Sequence, residues 1–359
     1  MSDSVSPAVA EQYERVKEAL REQPATWLVT GAAGFIGSHL VEHLLGLGQR
    51  VVGLDNLSAG FLANLHDVRE AVGEAWSRFR FVEGDIRDLG TCRAVCSGVD
   101  YVLHEAALCS VPWSIDDPLL AHEVNVTGFV HILQAAREAG VRRVVYAASS
   151  AAYGDETSVP AVEERIGRPL SPYAANKYID EVYADVFGRS YGLESVGLRY
   201  FNVFGRRQDP AGAYAAVIPC WVANLLAGRP CQINGDGETT RDFCHVENVV
   251  QANLLAATAP AAGIAERVFN VACGEQTTLN ELFAAVRDGL ARHHPELAGA
   301  EPLYAEFRPG DVRHSMADIS RIRRALGYAP THDVRRGLAD ALDWYAERLR
   351  EPHPAAGRA

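Results

Sequence analysis

The chain has 359 residues and no apolar run that approaches the ~20 residues a membrane-spanning helix needs. It has no excess of positive charge: 34 Lys and Arg stand against 46 Asp and Glu, a formal net charge of −12. That argues against nonspecific binding to DNA or to an anionic membrane, though not against small anionic substrates, which need only a local Arg or Lys. The pair Arg142-Arg143 is too short for a basic patch. The N-terminus is polar and acidic and lacks the pattern of a signal peptide, so a cytoplasmic protein is expected. The seven cysteines (Cys92, Cys96, Cys109, Cys220, Cys231, Cys244 and Cys273) are odd in number and form no C-x-x-C. Reduced core thiols are expected. Cys92 and Cys96 could share a helix face, but no His or Cys pair completes a metal site, and none is expected. No internal repeat is visible. The hydrophobic fraction of 48% is ordinary for a folded chain, and the length suits one large or two modest domains.

The most informative stretch is Thr30-Gly31-Ala32-Ala33-Gly34-Phe35-Ile36-Gly37. A short β-prone run, Trp27-Leu28-Val29, precedes it, and apolar residues at helical spacing follow. Three glycines on a strand-to-helix turn suit a dinucleotide: Gly31 for the tight turn, Gly34 for backbone approach to a pyrophosphate, Gly37 for close helix packing. The helix N-terminus then faces the phosphates. A second strand ends in Asp55, where an acid can accept both ribose hydroxyls and repel a 2′-phosphate; this favours NAD over NADP.

Strands are expected near 27–30, 50–55, 79–83, 101–104, 143–148 and 195–200. Helices are expected near 8–20, 34–47, 62–72, 89–96, 118–139, 172–191 and 334–349. Repeated β-α units predict an α/β fold, a Rossmann-type doubly wound parallel sheet with helices on both faces. After about residue 205 the elements shorten. The expected division is an N-terminal helix over 1–23, an NAD-binding part over 24–200 to which segments near 240–260 return, and a smaller mixed α/β substrate-binding part over 201–350. The last part would cover the carboxyl ends of the strands, where ligands of such sheets bind. Residues 351–359 read as a disordered tail.

Tyr173-Ala174-Ala175-Asn176-Lys177 opens a helix and places Tyr173 and Lys177 on one face. A nearby ammonium, together with a nicotinamide cation, would lower the phenol's pKa toward neutrality, so that Tyr173 acts as a base. Ser149 and Ser150 stand at the end of the fifth strand, where a hydroxyl can bind both a substrate oxygen and the phenolate.

With the Gly84-Asp85-Ile86-Arg87-Asp88 turn and Tyr153-Gly154, these motifs resemble the extended short-chain dehydrogenase/reductases. The similarity runs on through Leu198-Arg199-Tyr200-Phe201-Asn202-Val203-Phe204-Gly205, Asn234-Gly235-Asp236-Gly237, Arg241-Asp242-Phe243 and Arg308-Pro309-Gly310-Asp311. That pattern is typical of enzymes of nucleoside-diphosphate sugars. The N-terminal extra helix and the stretch from Asp209 to Pro219 resemble bacterial UDP-N-acetylglucosamine 4-epimerases. The resemblance implies reversible C4 epimerisation of UDP-N-acetylhexosamines through a 4-keto sugar and bound NAD. UDP-glucose and UDP-galactose, or the uronic acid forms, remain open. It also implies a homodimer formed through the helices near 118–139 and 172–191.

Residue by residue, the resemblance makes Tyr173 the base, Lys177 its electrostatic partner and a ribose ligand, and Ser149 the hydrogen-bond partner of the reacting hydroxyl. The cofactor would be held by Gly31, Gly34, Phe35, Ile36, Gly37, Asp55, Asn56, Ser58, Gly60, Asp85, Ile86, Glu105, Val203, Tyr173 and Lys177. The UDP-sugar would be held by Ser110, Ser149, Ser150, Tyr173, Asn202, Val217, Asn234, Arg241, Arg308, Asp311 and Ser315. Ser315 occupies the position of a bulky Tyr in epimerases restricted to UDP-glucose and UDP-galactose. Three positions depart from the pattern: Glu105 replaces a usual Gln, while Gln276 and Trp113 replace Arg. A nucleotide-sugar 4,6-dehydratase or decarboxylase of the same family is the nearest rival, but the dehydratase's Asp-Glu acid–base pair would fall on Ser150 and Ala151. A non-catalytic NAD-sensing regulator would be expected to lose Tyr173 or Lys177, and both are present.

Overall fold

The computed structural model describes residues 7–210, 216–261, 264, 266–307 and 312–348. An amphipathic helix, α1 (Pro7–Glu22), leads into β1 (Thr26–Thr30). Strand and helix then alternate through α2 (Phe35–Gly46), β2 (Arg50–Asp55), α3 (Leu62–Val72), β3 (Phe79–Glu83), α4 (Leu89–Cys96) and β4 (Tyr101–His104). Three helical pieces follow, α5 (Val111–Asp116), α6 (Pro118–His122) and α7 (Gly128–Ala139), then β5 (Arg143–Ser149), α8 (Pro172–Tyr191) and β6 (Ser195–Tyr200). The later elements are β7 (Val203–Phe204), α9 (Val217–Leu226), β8 (Gln232–Asn234), β9 (Thr240–Arg241), β10 (Cys244–His245) and α10 (Val246–Thr258). The chain continues with β11 (Val268–Val271), β12 (Thr277–Thr278), α11 (Leu279–Ala291), β13 (Leu303–Ala305), α12 (Ser320–Leu326) and α13 (Val334–Arg348).

Seven strands form one sheet in the order β11-β6-β5-β4-β1-β2-β3, and every neighbouring pair is parallel. Parallel strands are covered on both faces, which is why β2 and β6 read as near-continuous apolar runs and are buried along almost their whole length. On one face pack Leu40 and Leu44 of α2, Val249 and Leu254 of α10 and Ile322 of α12. On the other pack Val95 of α4, Phe129 and Leu133 of α7 and Phe187 of α8. A third core joins Trp221 of α9, Leu282 and Val286 of α11, and Leu342 and Tyr345 of α13. The strand order reverses between β1 and β4, which opens a crevice at the carboxyl ends of the strands.

Two features differ from the sequence reading. The helix expected over 118–139 runs continuously through α6 and α7 but widens into a π turn at Glu123–Thr127. The extra residue of that turn lets Asn125 face inward, where its side chain accepts from the Leu108 N–H at 2.8 Å and donates to the Leu108 carbonyl at 3.0 Å. The sheet also takes its seventh strand from Val268–Val271, a stretch read as belonging to the smaller part, and α12 packs beside it. This strand is only four residues long and carries Asn270 in its middle. Asn270 is a tertiary hub: its Oδ1 accepts from the Tyr153 hydroxyl and its Nδ2 donates to the Ala161 and Asp318 carbonyls. The tail at 351–359 and part of the Asp209 to Pro219 stretch lie outside the described residues. All seven cysteines are free thiols, and Cys109 alone is exposed. Among the described residues no helix is long and apolar enough to cross a membrane.

Candidate active site

The turn after β1 is closely constrained. Gly31 has a φ of +68° and donates its N–H to the Leu54 carbonyl at 2.8 Å. Gly37, in the first turn of α2, lies against it: a Cβ there would come within 2.7 Å of the Gly31 carbonyl carbon. Gly34 is the N-cap of α2 and supplies no capping side chain, so the leading amides of Phe35 and Ile36 receive no side-chain cap from it. The N-terminus of this 12-residue helix is suited to an anion.

At the end of β2, Asp55 accepts from the Ala33 N–H at 2.9 Å through Oδ2 and from the Leu57 N–H at 2.8 Å through Oδ1. Each oxygen keeps a further lone pair for a ribose hydroxyl. Gly60 closes over it, with room for no Cβ beyond 2.9 Å from Oδ2. Ser58 donates its amide and hydroxyl to Asn56 Oδ1, and Asn56 Nδ2 reaches Asp85 Oδ2 at 2.9 Å. The Arg87 guanidinium grips Asp85 and holds its carboxyl at about 2. Ile86 is buried against Gly128. A cradle that excludes side chains, an oriented carboxylate and an uncapped helix end together fit a dinucleotide.

Tyr173 sits in the first turn of α8. Ser171 caps that turn by accepting from the Ala174 N–H at 3.1 Å, and Pro172 fixes the first helical residue. The Tyr173 N–H donates to Ser114 Oγ at 3.1 Å, and Ser114 donates in turn to the Val111 carbonyl at 2.7 Å. Helix α5 therefore fixes the height of Tyr173. Ser149, at the end of β5, accepts from the Ala151 N–H and lies near enough to the Tyr173 phenol to pull its pKa down. Lys177, one turn on, donates to the Ala147 carbonyl at 2.9 Å.

The expected lowering of the Tyr173 pKa is not built into the chain alone. Burial pushes the phenol well above its usual value, the Cys109 thiol and Asp180 add to this, and only Ser149 opposes it. The Lys177 ammonium is engaged by the Ala147 carbonyl and faced by Asp180. Glu105 accepts from the Tyr200 hydroxyl at 2.8 Å, and Asn253 Nδ2 donates to that same hydroxyl at 2.8 Å. Burial pushes the Glu105 carboxyl up to about 8, so it is mostly uncharged at neutral pH.

On the sugar side, Thr240 gathers several groups. Arg241 Nη1 donates to its carbonyl, Gln276 Nε2 donates to its hydroxyl at 2.9 Å, His314 Nδ1 bonds that hydroxyl at 3.0 Å, and the Ser315 N–H reaches its carbonyl at 3.2 Å. Ser315 is half-buried. Asn202, just before Val203 on β7, holds a φ of +22°, uncommon for a residue with a Cβ, and donates to the Asp242 carbonyl. Asn234 ends β8, on a different two-stranded sheet from Arg241, and accepts from Gln232. Val217 opens α9, Ser110 caps α5 by accepting from the Trp113 N–H, and Ser150 begins a short 3₁₀ turn after Ser149. Arg308 and Asp311 lie outside the described residues. Sequence reasoning passed over Ser114, Tyr200, Asn253 and Asp180. Ser114 and Asp180 were readable, the first one turn after Ser110 and the second three residues after Lys177.

The profile of the NAD dependent epimerase/dehydratase family matches residues 27–272. The chain is 40% identical over 323 residues to the UDP-glucose 4-epimerase of Mycolicibacterium smegmatis, across 89% of this chain and 98% of that one. Among solved structures it is similar to the UDP-N-acetylglucosamine 4-epimerase of Methanobrevibacter ruminantium in complex with UDP-N-acetylmuramic acid, with a TM-score of 0.83 and 36% identity over 90% of this chain and 99% of that one. It is also similar to the UDP-glucose 4-epimerase of Thermus thermophilus in complex with NAD, with a TM-score of 0.75 and 36% identity over 89% and 99%.

Proposed function

The chain belongs to the NAD-dependent epimerase/dehydratase family, and we propose that within it the enzyme interconverts UDP-N-acetylglucosamine and UDP-N-acetylgalactosamine. That it is an NAD-dependent UDP-sugar 4-epimerase follows from its relatives. The finer reading, an N-acetylated sugar, is carried by Ser315, a small half-buried residue grouped with Arg241 around Thr240. A Ser there leaves space for an acetamido group that a Tyr ring would fill, so one substrate is rejected by clash rather than the other attracted.

Tyr173 takes the C4 hydroxyl proton, with Ser149 hydrogen-bonded to the same oxygen. NAD, when bound, would supply the hydride acceptor and donor at C4. The glycine turn would hold its pyrophosphate, Asp55 and Asn56 its ribose, Asp85 and Ile86 its adenine, and Lys177 its second ribose. Arg241, with Arg308 and Asp311, anchors the UDP, so binding energy remote from C4 retains the ketone while it turns over. A homodimer is part of the same reading. Val182, Tyr183 and Val186 of α8 and Leu119 of α6 are exposed apolar residues, Leu119 at 77%, and a second copy of these helices would cover them.

The test of the sugar is Ser315→Tyr. Its kcat/KM should fall far more on the two N-acetylated sugars than on UDP-glucose and UDP-galactose. An equal loss on all four, or no loss on the acetylated pair, removes Ser315 from the sugar site.

A further inference from the structure

Lys177 is not isolated in its site. Three residues along α8, Asp180 places Oδ2 3.4 Å from the Lys177 Nζ, and the two side chains are only 3% and 2% exposed. The other oxygen, Oδ1, is buried with no hydrogen-bond partner among the described residues. A buried carboxylate with an unpaired oxygen is costly, and an amide would cap the ammonium without placing a second charge.

The surroundings add little to compensate it. On α8 itself, Glu181 is the next residue, and it is taken up by the Arg199 fork from β6 at 2.8 and 2.7 Å. From β5 come the Ala147 carbonyl on Lys177 and Tyr146, whose phenol is pushed up by burial and then by Glu181 and Asp180. From β4 comes His104, buried and held neutral, with burial and then Lys177 lowering it to about 3. Tyr173 lies one turn back along α8, with Cys109 beside it. Lys177 is thus the cation that Asp180 faces, one turn along α8 from Tyr173, and the Asp180 charge already pushes the Tyr173 phenol up.

We propose that Asp180 is a positioning residue that acts through Lys177: its charge state decides how much positive charge reaches Tyr173, and so the pH at which the phenol gives up its proton. This rests on the reading of Tyr173 as the base. With Asp180 ionised, the Lys177 pair is close to neutral and the phenolate is poorly stabilised. With Asp180 protonated, the whole ammonium charge is felt. Burial pushes the Asp180 carboxyl up to about 7 against the pull of Lys177, so both states are populated near neutrality.

Asp180→Asn keeps the size and the acceptor for Lys177 and removes the charge. The acid limb of kcat/KM against pH, measured with UDP-N-acetylglucosamine and with UDP-glucose, should move down by about one unit. The phenolate absorbance near 295 nm of the holoenzyme, after subtraction of the same titration on Tyr173→Phe, should move the same way. Asp180→Glu, which restores the charge, should return both to the wild-type pH. If Asp180→Asn does not fold, Asp180→Ser serves with the same expected shift. A limb and an absorbance titration that stay at the wild-type pH in the uncharged variant overturn the role of Asp180. A Tyr173→Phe enzyme with normal turnover overturns instead the reading on which it rests.

Discussion

Replacing Gly37 with Ala adds one methyl group where the chain leaves no space. The new Cβ would lie 2.7 Å from the Gly31 carbonyl carbon and closer still to its oxygen, where real Cβ contacts essentially never fall below 3.0 Å. Both partners are backbone, so no flexible side chain can swing aside. The joint between β1 and α2 would have to open by roughly 1 Å, at a cost of about 1–3 kcal/mol. The same opening displaces the leading amides of α2 from the pyrophosphate position. Gly46 is the internal control. It ends α2, and a Cβ there meets nothing within 4 Å, so Gly46→Ala should stabilise by about 0.5–1 kcal/mol. The assay is the dinucleotide released per polypeptide on denaturation, beside the melting temperature. Gly37→Ala should melt lower and carry much less dinucleotide, whereas Gly46→Ala should melt no lower and carry the wild-type amount. Wild-type nucleotide content in a folded Gly37→Ala protein would refute the placement of the cofactor on this turn.

Other outcomes follow from the same geometry. Tyr173→Phe should lower kcat by about 10²–10⁴ while dinucleotide binding survives; near-wild-type turnover would remove Tyr173 as the base. The nucleotide released from purified protein should be NAD, because Asp55 would repel a 2′-phosphate; NADP as the main species contradicts that role. His43 and Glu247, paired at 2.8 Å, give a pH signature in stability. Although burial opposes both shifts, the pairing lowers Glu247 to about 2 and raises His43. The Glu247 contribution is present above its unfolded value and lost as pH falls toward 2. That of His43 is present below its unfolded value and lost as pH rises through its raised folded value. The melting-temperature excess of wild type over Glu247→Gln should therefore be largest between about pH 4.5 and 6.5 and shrink on either side; an excess that stays as large below and above that window would contradict the pairing.

The strands β1, β2, β4, β5 and β6 were legible because parallel strands buried on both faces are written as largely apolar runs between turn residues, and the edge strand β3 because Phe79 and Phe81 alternate with Arg80. Strand β11 was not, since Asn270 interrupts a four-residue stretch and is satisfied only by Tyr153, Ala161 and Asp318, all distant in sequence. The π turn at Glu123–Thr127, inside an otherwise legible helix, goes with the Asn125 clasp on Leu108, another long-range bond that local periodicity cannot express. The chemistry at the strand ends was readable as motifs, from the glycine turn to Tyr173 and Lys177. The electrostatics were not: the direction in which burial drives the phenol, and the charge that Asp180 sets against Lys177, depend on what folds around them.

Reversible C4 inversion of a UDP-N-acetylhexosamine is read out by incubating the purified protein with UDP-N-acetylglucosamine, followed by chromatographic separation and proton NMR of the sugar. UDP-N-acetylgalactosamine should form and the two sugars should approach a fixed ratio from either direction, with no added cofactor consumed. Unchanged UDP-N-acetylgalactosamine and UDP-N-acetylglucosamine, or a product that has lost water to become a 4-keto-6-deoxy sugar, would contradict it.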